Sequence, residues 1–181
     1  IIDGGGTDSS SFYINSSVDS ARVFIYGFTF QNGRSQDGGG IKITDSDVKI
    51  EQTRIYNNLL LGGDGGGIYI SGNSNVDIIN TVIEFNRAPI GTGNGGGLYV
   101  GVNSGSNIIS LKNVEVLNNR SIKGGGIYMG EIGQLELDNC LIYRNNSLEK
   151  GGGIFNKSDK LIFHSRIDDI DGILDTIYTR I

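Results

Sequence analysis

Apolar residues alternate with polar ones in short bursts along most of this 181-residue chain. Ile41-Lys42-Ile43, Ile68-Tyr69-Ile70, Leu98-Tyr99-Val100 and Ile127-Tyr128-Met129 form one set. After a polar turn comes a second set, in which Val48 and Ile50, Val76 and Ile78, Ile109 and Leu111, Leu135 and Leu137, and Leu161 and Phe163 hold matching places. A period of two over a few residues predicts half-buried strands. Helical spacing is missing until the last stretch.

The bursts recur with a long period. Gly38-Gly39-Gly40-Ile41, Gly65-Gly66-Gly67-Ile68, Gly95-Gly96-Gly97-Leu98, Gly124-Gly125-Gly126-Ile127 and Gly151-Gly152-Gly153-Ile154 start at intervals of 27, 30, 29 and 27 residues. Such a period predicts a stacked repeat. Strands this short bury their apolar face only when equivalent strands stack. The expected fold is therefore all-β: a right-handed parallel β-helix of about five to six coils. The whole of 1–181 reads as one domain, with a partial coil over 1–20, regular coils over about 21–165 and an irregular end or cap over 166–181.

Aligning the coils exposes further columns. Gln52, Asn80, Asn113 and Asn139 form one; six residues later come Asn58, Asn86, Asn119 and Asn145, with Ile55, Ile83, Val116 and Ile142 pointing inward between them. Stacked asparagines can pass amide hydrogen bonds along the axis, and they tolerate left-handed backbone, so both columns are expected at tight corners. The glycines supply positive φ and close approach. Spacers before the triplets vary in length, which marks exposed loops where binding sites are most easily built.

Composition narrows the function. Net charge is −5 and basic residues are scattered, which argues against nucleic acid as a partner. No apolar run approaches a membrane helix in length, so no direct membrane insertion is expected. Cys140 is the only cysteine, which excludes an internal disulfide and a cysteine-based zinc site. The strand-like text at both ends suggests a segment of a longer protein.

The opening IIDGGG, the run VFIYGFTFQNGRSQDGGGIKI and the repeated N-x-x-I-x-x-N followed by GGGIY together resemble β-helix repeats of bacterial surface proteins. The wording is similar to polymorphic outer-membrane proteins and to cell-surface proteins of the choice-of-anchor type, within the pectate-lyase-like superfold. The resemblance covers about residues 1–165 and implies an extracellular or cell-surface location. The first coil departs from the pattern, since Asn32 falls opposite Asn57 rather than Asn58, which suggests a corner shifted by one residue. At the other end Ser165, Asp168 and Asp171 fill columns held elsewhere by Asn, Ile and Asn. A buried Asp is costly, so regular coiling is expected to stop near Ile167, and Ile167, Ile170, Leu174, Ile177 and Ile181 suit a helical cap or an irregular strand.

Candidate chemistry is sparse. Polygalacturonase-like elements do not assemble: Asn80-Thr81 is followed by Val82, Asp168-Asp169 lies where the repeat fails, and His164 has no glycine neighbour. His164 is expected to face solvent, and Cys140, aligned with Thr53, Thr81 and Val114, to be buried and inert. No catalytic residue is assigned. Asp37 and Asp64 precede equivalent triplets and could share a calcium ion, although Asn94, Lys123 and Lys150 fill that place in later coils. Lys42, Tyr69, Tyr99, Tyr128 and Phe155 follow the first apolar residue after each triplet and should point outward. That aromatic row reads either as a contact surface for sugars or proteins or as a ladder stacking on itself.

The expected function is a non-catalytic extracellular structural or adhesive module, binding copies of itself or a surface glycan or protein. The alternatives are a carbohydrate-active β-helix, lyase or hydrolase, and a glycan-binding module.

Overall fold

The computed structural model describes residues 1–6, 9–16, 21–88, 91, 93–101, 108–158 and 160–164. The described chain is all-β, a parallel solenoid of about five turns built on three six-stranded sheets. The glycine-side sheet stacks Phe12–Asn15, Ile41–Thr44, Ile68–Ser71, Leu98–Val100, Ile127–Met129 and Ile154–Asn156. The middle sheet stacks Val23–Tyr26, Asp47–Glu51, Asn75–Ile79, Ile108–Lys112, Gln134–Asp138 and Leu161–Phe163. The third, asparagine-side sheet runs from Ile2–Asp3 through Thr29–Gln31, Arg54–Tyr56, Val82–Glu84 and Glu115–Leu117 to Leu141–Tyr143. Only two strands per coil announce themselves by alternation. Those of the third sheet are three residues or shorter and bury at most a single side chain each, as at Ile55, Ile83, Val116 and Ile142, so they show no pair of alternating apolar positions.

Register is strict. Ile68 pairs with Ile41 and Leu98, Val76 with Val48 and Ile109, and Ile83 with Ile55 and Val116. A one-residue slip would turn every core side chain to solvent. The three inward columns meet in one continuous Ile/Val/Leu core with Phe30 and Met129, and Phe30 contacts Phe12 and Phe28 at ring distances of 5.7 and 5.9 Å.

The corners use two kinds of residue. Gln52, Asn80, Asn113 and Asn139 all have positive φ, between 48° and 52°. At the other corner the left-handed residues are Asn32, Asn57, Phe85, Asn118 and Arg144. Each lies one position before the buried asparagine column, which corrects the expectation that Asn58, Asn86, Asn119 and Asn145 themselves take the left-handed backbone. The first coil is not shifted either. Asn57 Nδ2 donates to Asn32 Oδ1 at 2.9 Å, so these two stand in one column, and Gly33 takes the place of the buried asparagine.

Within a triplet the three glycines serve different ends. The first carries the positive φ, as at Gly65 with φ 75°. The second and third allow coils to touch: a Cβ on Gly67 would lie 2.6 Å from the Gly97 carbonyl oxygen. Gly4-Gly5-Gly6 stands elsewhere, against the Asn32 corner, where Gly4 N donates to Gln31 O and Gly6 N to Asn32 O. The spacers also hold more order than a loop. Arg34–Ser35 pairs with Leu59–Leu60, and Arg120–Lys123 with Asn146–Lys150, while Leu60 and Ser121 are buried. The expected cap over 166–181, with Asp168, Asp169 and Asp171, lies outside the described residues.

Candidate functional site

Three outward or inward ladders hold most of the residues singled out by the sequence. Inside the corner, Asn58, Asn86, Asn119 and Asn145 form a buried amide ladder. Asn86 Nδ2 donates to Asn119 Oδ1 at 3.0 Å and to the Ile55 carbonyl at 3.0 Å, and Asn86 N–H donates to the same Asn119 oxygen at 2.9 Å. Asn58, Asn119 and Asn145 repeat parts of this pattern, with Nδ2 donating to Phe30 O, Ile83 O and Val116 O. A buried side chain thus replaces the backbone pairing that the corner interrupts. A second ladder, Asn139 to Asn113 to Asn80, runs along the exposed corner at 2.7 and 3.0 Å.

The aromatic row stands on the outer face of the glycine-side sheet. Tyr69, Tyr99, Tyr128 and Phe155 stack with ring distances of 5.3, 5.0 and 5.3 Å and interplanar angles of 8°, 13° and 29°. Lys42 extends the column, its Nζ 5.3 Å from the Tyr69 ring and 6.0 Å from that of Tyr13. Tyr99, Tyr128 and Phe155 are only 7–8% exposed. Their faces are turned to each other and their flanks are covered, so the row is a self-stacked ladder and no open platform for a sugar ring.

Burial raises the Tyr99 phenol well above its ordinary value, and the Asp64 carboxylate beside it adds to the effect. Tyr69 is raised in the same direction, again chiefly by burial. A phenol whose folded pKa exceeds its unfolded value near 10 favours the folded state below that pH. Unfolded chains then lose the proton first as pH rises, and stability falls. Chemical unfolding at pH 8 and pH 11 is therefore expected to show a clear loss of stability at the higher pH. The Tyr69→Phe/Tyr99→Phe variant should lose less, and equal losses in the two proteins would refute the assignment.

Asp37 and Asp64 do stack. Asp64 N–H donates to Asp37 Oδ1 at 3.2 Å. Lys42 Nζ lies 3.1 Å from Asp37 Oδ2. Asp64 Oδ1 accepts from Asn94 N at 2.8 Å and Asn94 Nδ2 at 3.0 Å. Burial pushes the Asp64 carboxyl up, against the pull of the Asn94 hydrogen bonds. For a shared calcium ion here, the Lys42 ammonium would have to withdraw. Among the described residues no group of three or more His, Cys, Asp or Glu side chains gathers in metal-binding geometry.

His164 is half exposed, with Nε2 3.0 Å from Glu136 Oε2. The Cys140 thiol is buried, contacts the Leu111 and Asp138 carbonyl oxygens, and is raised in pKa chiefly by that burial.

Apart from Asn119, residues to which the sequence assigned no role meet at the edge beyond the left-handed corner. Phe85, Arg87, Asn118, Asn119, Arg120, Arg144 and Asn146 line an open groove there. The same edge continues toward the first coil as a second depression, with Asn32, Arg34, Asn57 and Leu59. No known protein family, curated protein or solved structure significantly matches the chain.

Proposed function

We propose that this chain is a non-catalytic structural or adhesive segment of an extracellular or cell-surface protein, of the kind its repeat wording resembles. The observation that carries the reading is the internal use of its outward side chains. On the glycine side the aromatic rings stack on one another, and on the exposed corner the amides bond to one another. On the middle sheet, Lys112 pairs with Asp138 and Lys49 with Glu51. A lyase or hydrolase needs carboxylates and a base converging on substrate in one groove. The groups candidate enzymes would draw on are divided between the spacers before the glycine triplets, which hold Asp37 and Asp64, and the middle-sheet side, which holds Glu136 and His164, and all are engaged with neighbours.

The proposal extends to self-association. Among the described residues, Phe12–Asn15 and Ile154–Asn156 are the outermost strands of the glycine-side sheet. Strand edges at the two ends of a parallel stack can template the next copy. Sedimentation velocity over a wide concentration range, with electron microscopy of the same samples, is expected to show end-to-end assemblies that grow with concentration. A monomer at every concentration would end the filament part of the proposal. Release of unsaturated or reducing sugars from polysaccharides would end the non-catalytic part.

A further inference from the structure

Six arginines fall within the described residues. Arg22 holds Asp47 and Asp77, and Arg54 holds Glu84. The remaining four, Arg34, Arg87, Arg120 and Arg144, have no carboxylate partner among the described residues, and all four line the two depressions along one edge of the solenoid. In a chain of net charge −5, acids enough are present to pair them. They are instead collected along an edge where, among the described residues, no carboxylate pairs with them.

Coil register brings them together. Arg34 pairs across with Leu59, Leu59 with Arg87, Arg87 with Arg120, and Arg120 with Asn146. Arg87 and Arg120 therefore stand on adjacent rungs, roughly 4.8 Å apart at the spacing of paired strands. Like charges directly opposite one another oppose strand pairing. An oxyanion held between two guanidinium forks turns that repulsion into charge-assisted hydrogen bonds. Arg144 closes the site from the next coil, its guanidinium 4.8 Å from the Tyr143 ring, which limits its freedom.

Two further groups say what carries the anion. Phe85 is 40% exposed on the wall of the groove, held edge-to-face by Tyr56 at 5.9 Å and 77°, and so offers a ring face suited to the apolar side of a sugar. Asn118, also lining the groove, makes no side-chain hydrogen bond to the described residues and can serve a hydroxyl. A single aromatic ring gives no platform for successive nucleobases.

We propose that this edge is a binding site for a linear acidic glycan, bearing carboxylate or sulfate groups, with Arg87, Arg120 and Arg144 as its anion contacts and Phe85 as its sugar contact. The column of paired residues from Arg34 to Asn146 crosses four rung steps, roughly 19 Å along the axis, so an extended oligosaccharide fits the edge lengthwise. This rests on the adhesive reading above and gives its partner a chemical class.

The test measures binding of fluorescent probes to the intact chain: oligogalacturonate, a heparin-derived oligosaccharide, uncharged dextran, and single-stranded DNA matched in charge. One or both acidic glycans are expected to bind saturably and dextran not at all. The R87Q/R120Q/R144Q variant, verified as folded by circular dichroism, should bind about tenfold or more weakly. The K112Q/K157Q/K160Q variant, with the same change in net charge on other faces, should stay near the parent. Should the triple arginine variant fail to fold, R87Q alone is read for the same direction of change. Which glycan binds tells carboxylate from sulfate. Absence of saturable glycan binding, equal losses in the arginine and lysine variants, or DNA binding as tight with the same dependence on the arginines would each overturn the proposal. A monomer that binds glycan loses the filament and keeps the site; filaments indifferent to glycan do the reverse.

Discussion

Asn119→Leu is expected to destabilise the solenoid by about 3–5 kcal/mol, a large share of what a domain of this size has in total. Leucine matches asparagine closely in shape but offers no polar atom. Asn119 Oδ1 accepts from Asn86 N at 2.9 Å and Asn86 Nδ2 at 3.0 Å, and its Nδ2 donates to Ile83 O at 2.8 Å and Asn145 Oδ1 at 3.0 Å. The side chain is 1% exposed, so water does not replace these partners. The substitution leaves the Asn86 backbone N–H buried and unpaired and takes one partner each from Asn86 Nδ2, Asn145 Oδ1 and the Ile83 carbonyl, and a buried polar group that loses its partner costs about 1–3 kcal/mol. Asn113→Ala is the comparison, since Asn113 sits in the exposed ladder and water can serve its neighbours. Equilibrium urea unfolding reads both. A loss of less than about 1 kcal/mol for Asn119→Leu would mean that the buried ladder is dispensable.

Gly67→Ala is expected to cost about 2–4 kcal/mol, for a different reason. Its φ is not in the left-handed region, so alanine is not strained by the backbone. The methyl group would lie 2.6 Å from the Gly97 carbonyl oxygen and 2.9 Å from Asn86 Nδ2. Both belong to neighbouring coils locked by hydrogen bonds, so the coils must separate or the amide ladder must break. Gly27→Ala separates the two causes. Gly27 has φ 75° with open space around it, and the substitution there carries only the left-handed penalty of about 1–2 kcal/mol. Thermal unfolding of the two variants side by side decides the point, and an equal shift in Tm would reject coil contact as the source.

The comparison of sequence and fold turns on which information is local. Ile41, Ile68, Leu98 and Ile127 align by eye because the glycines before them fix the frame, and the strands pair in that frame. The amide column was legible for the same reason. The left-handed positions were not, because Phe85 and Arg144 occupy two of them, and neither residue type signals positive φ. There the buried amide one residue later holds the turn, and the preceding side chain is free to vary. The aromatic row showed its outward direction and the option of self-stacking, but the depth to which Tyr99, Tyr128 and Phe155 bury one another is set by packing between coils and by no local pattern. The arginine edge was hidden more deeply. Arg34, Arg87 and Arg120 are separated by 53 and 33 residues, and no local run of basic residues marks them. Only the unequal coil lengths, resolved into register, stack them on one edge.

Parallel stacking also fixes how the protein would carry load. The sheet hydrogen bonds join one coil to the next, along the solenoid axis. Tension along that axis therefore falls on one intercoil seam at a time, and the weaker terminal seam yields first. Each released coil of 27–30 residues gives up about 90–100 Å of slack at the reach of an extended chain. The interior coils stay folded meanwhile, because each is held by its own neighbours alone. Set between a surface and whatever pulls on it, such a stack lengthens by instalments and spares the remainder of the tether from sudden force.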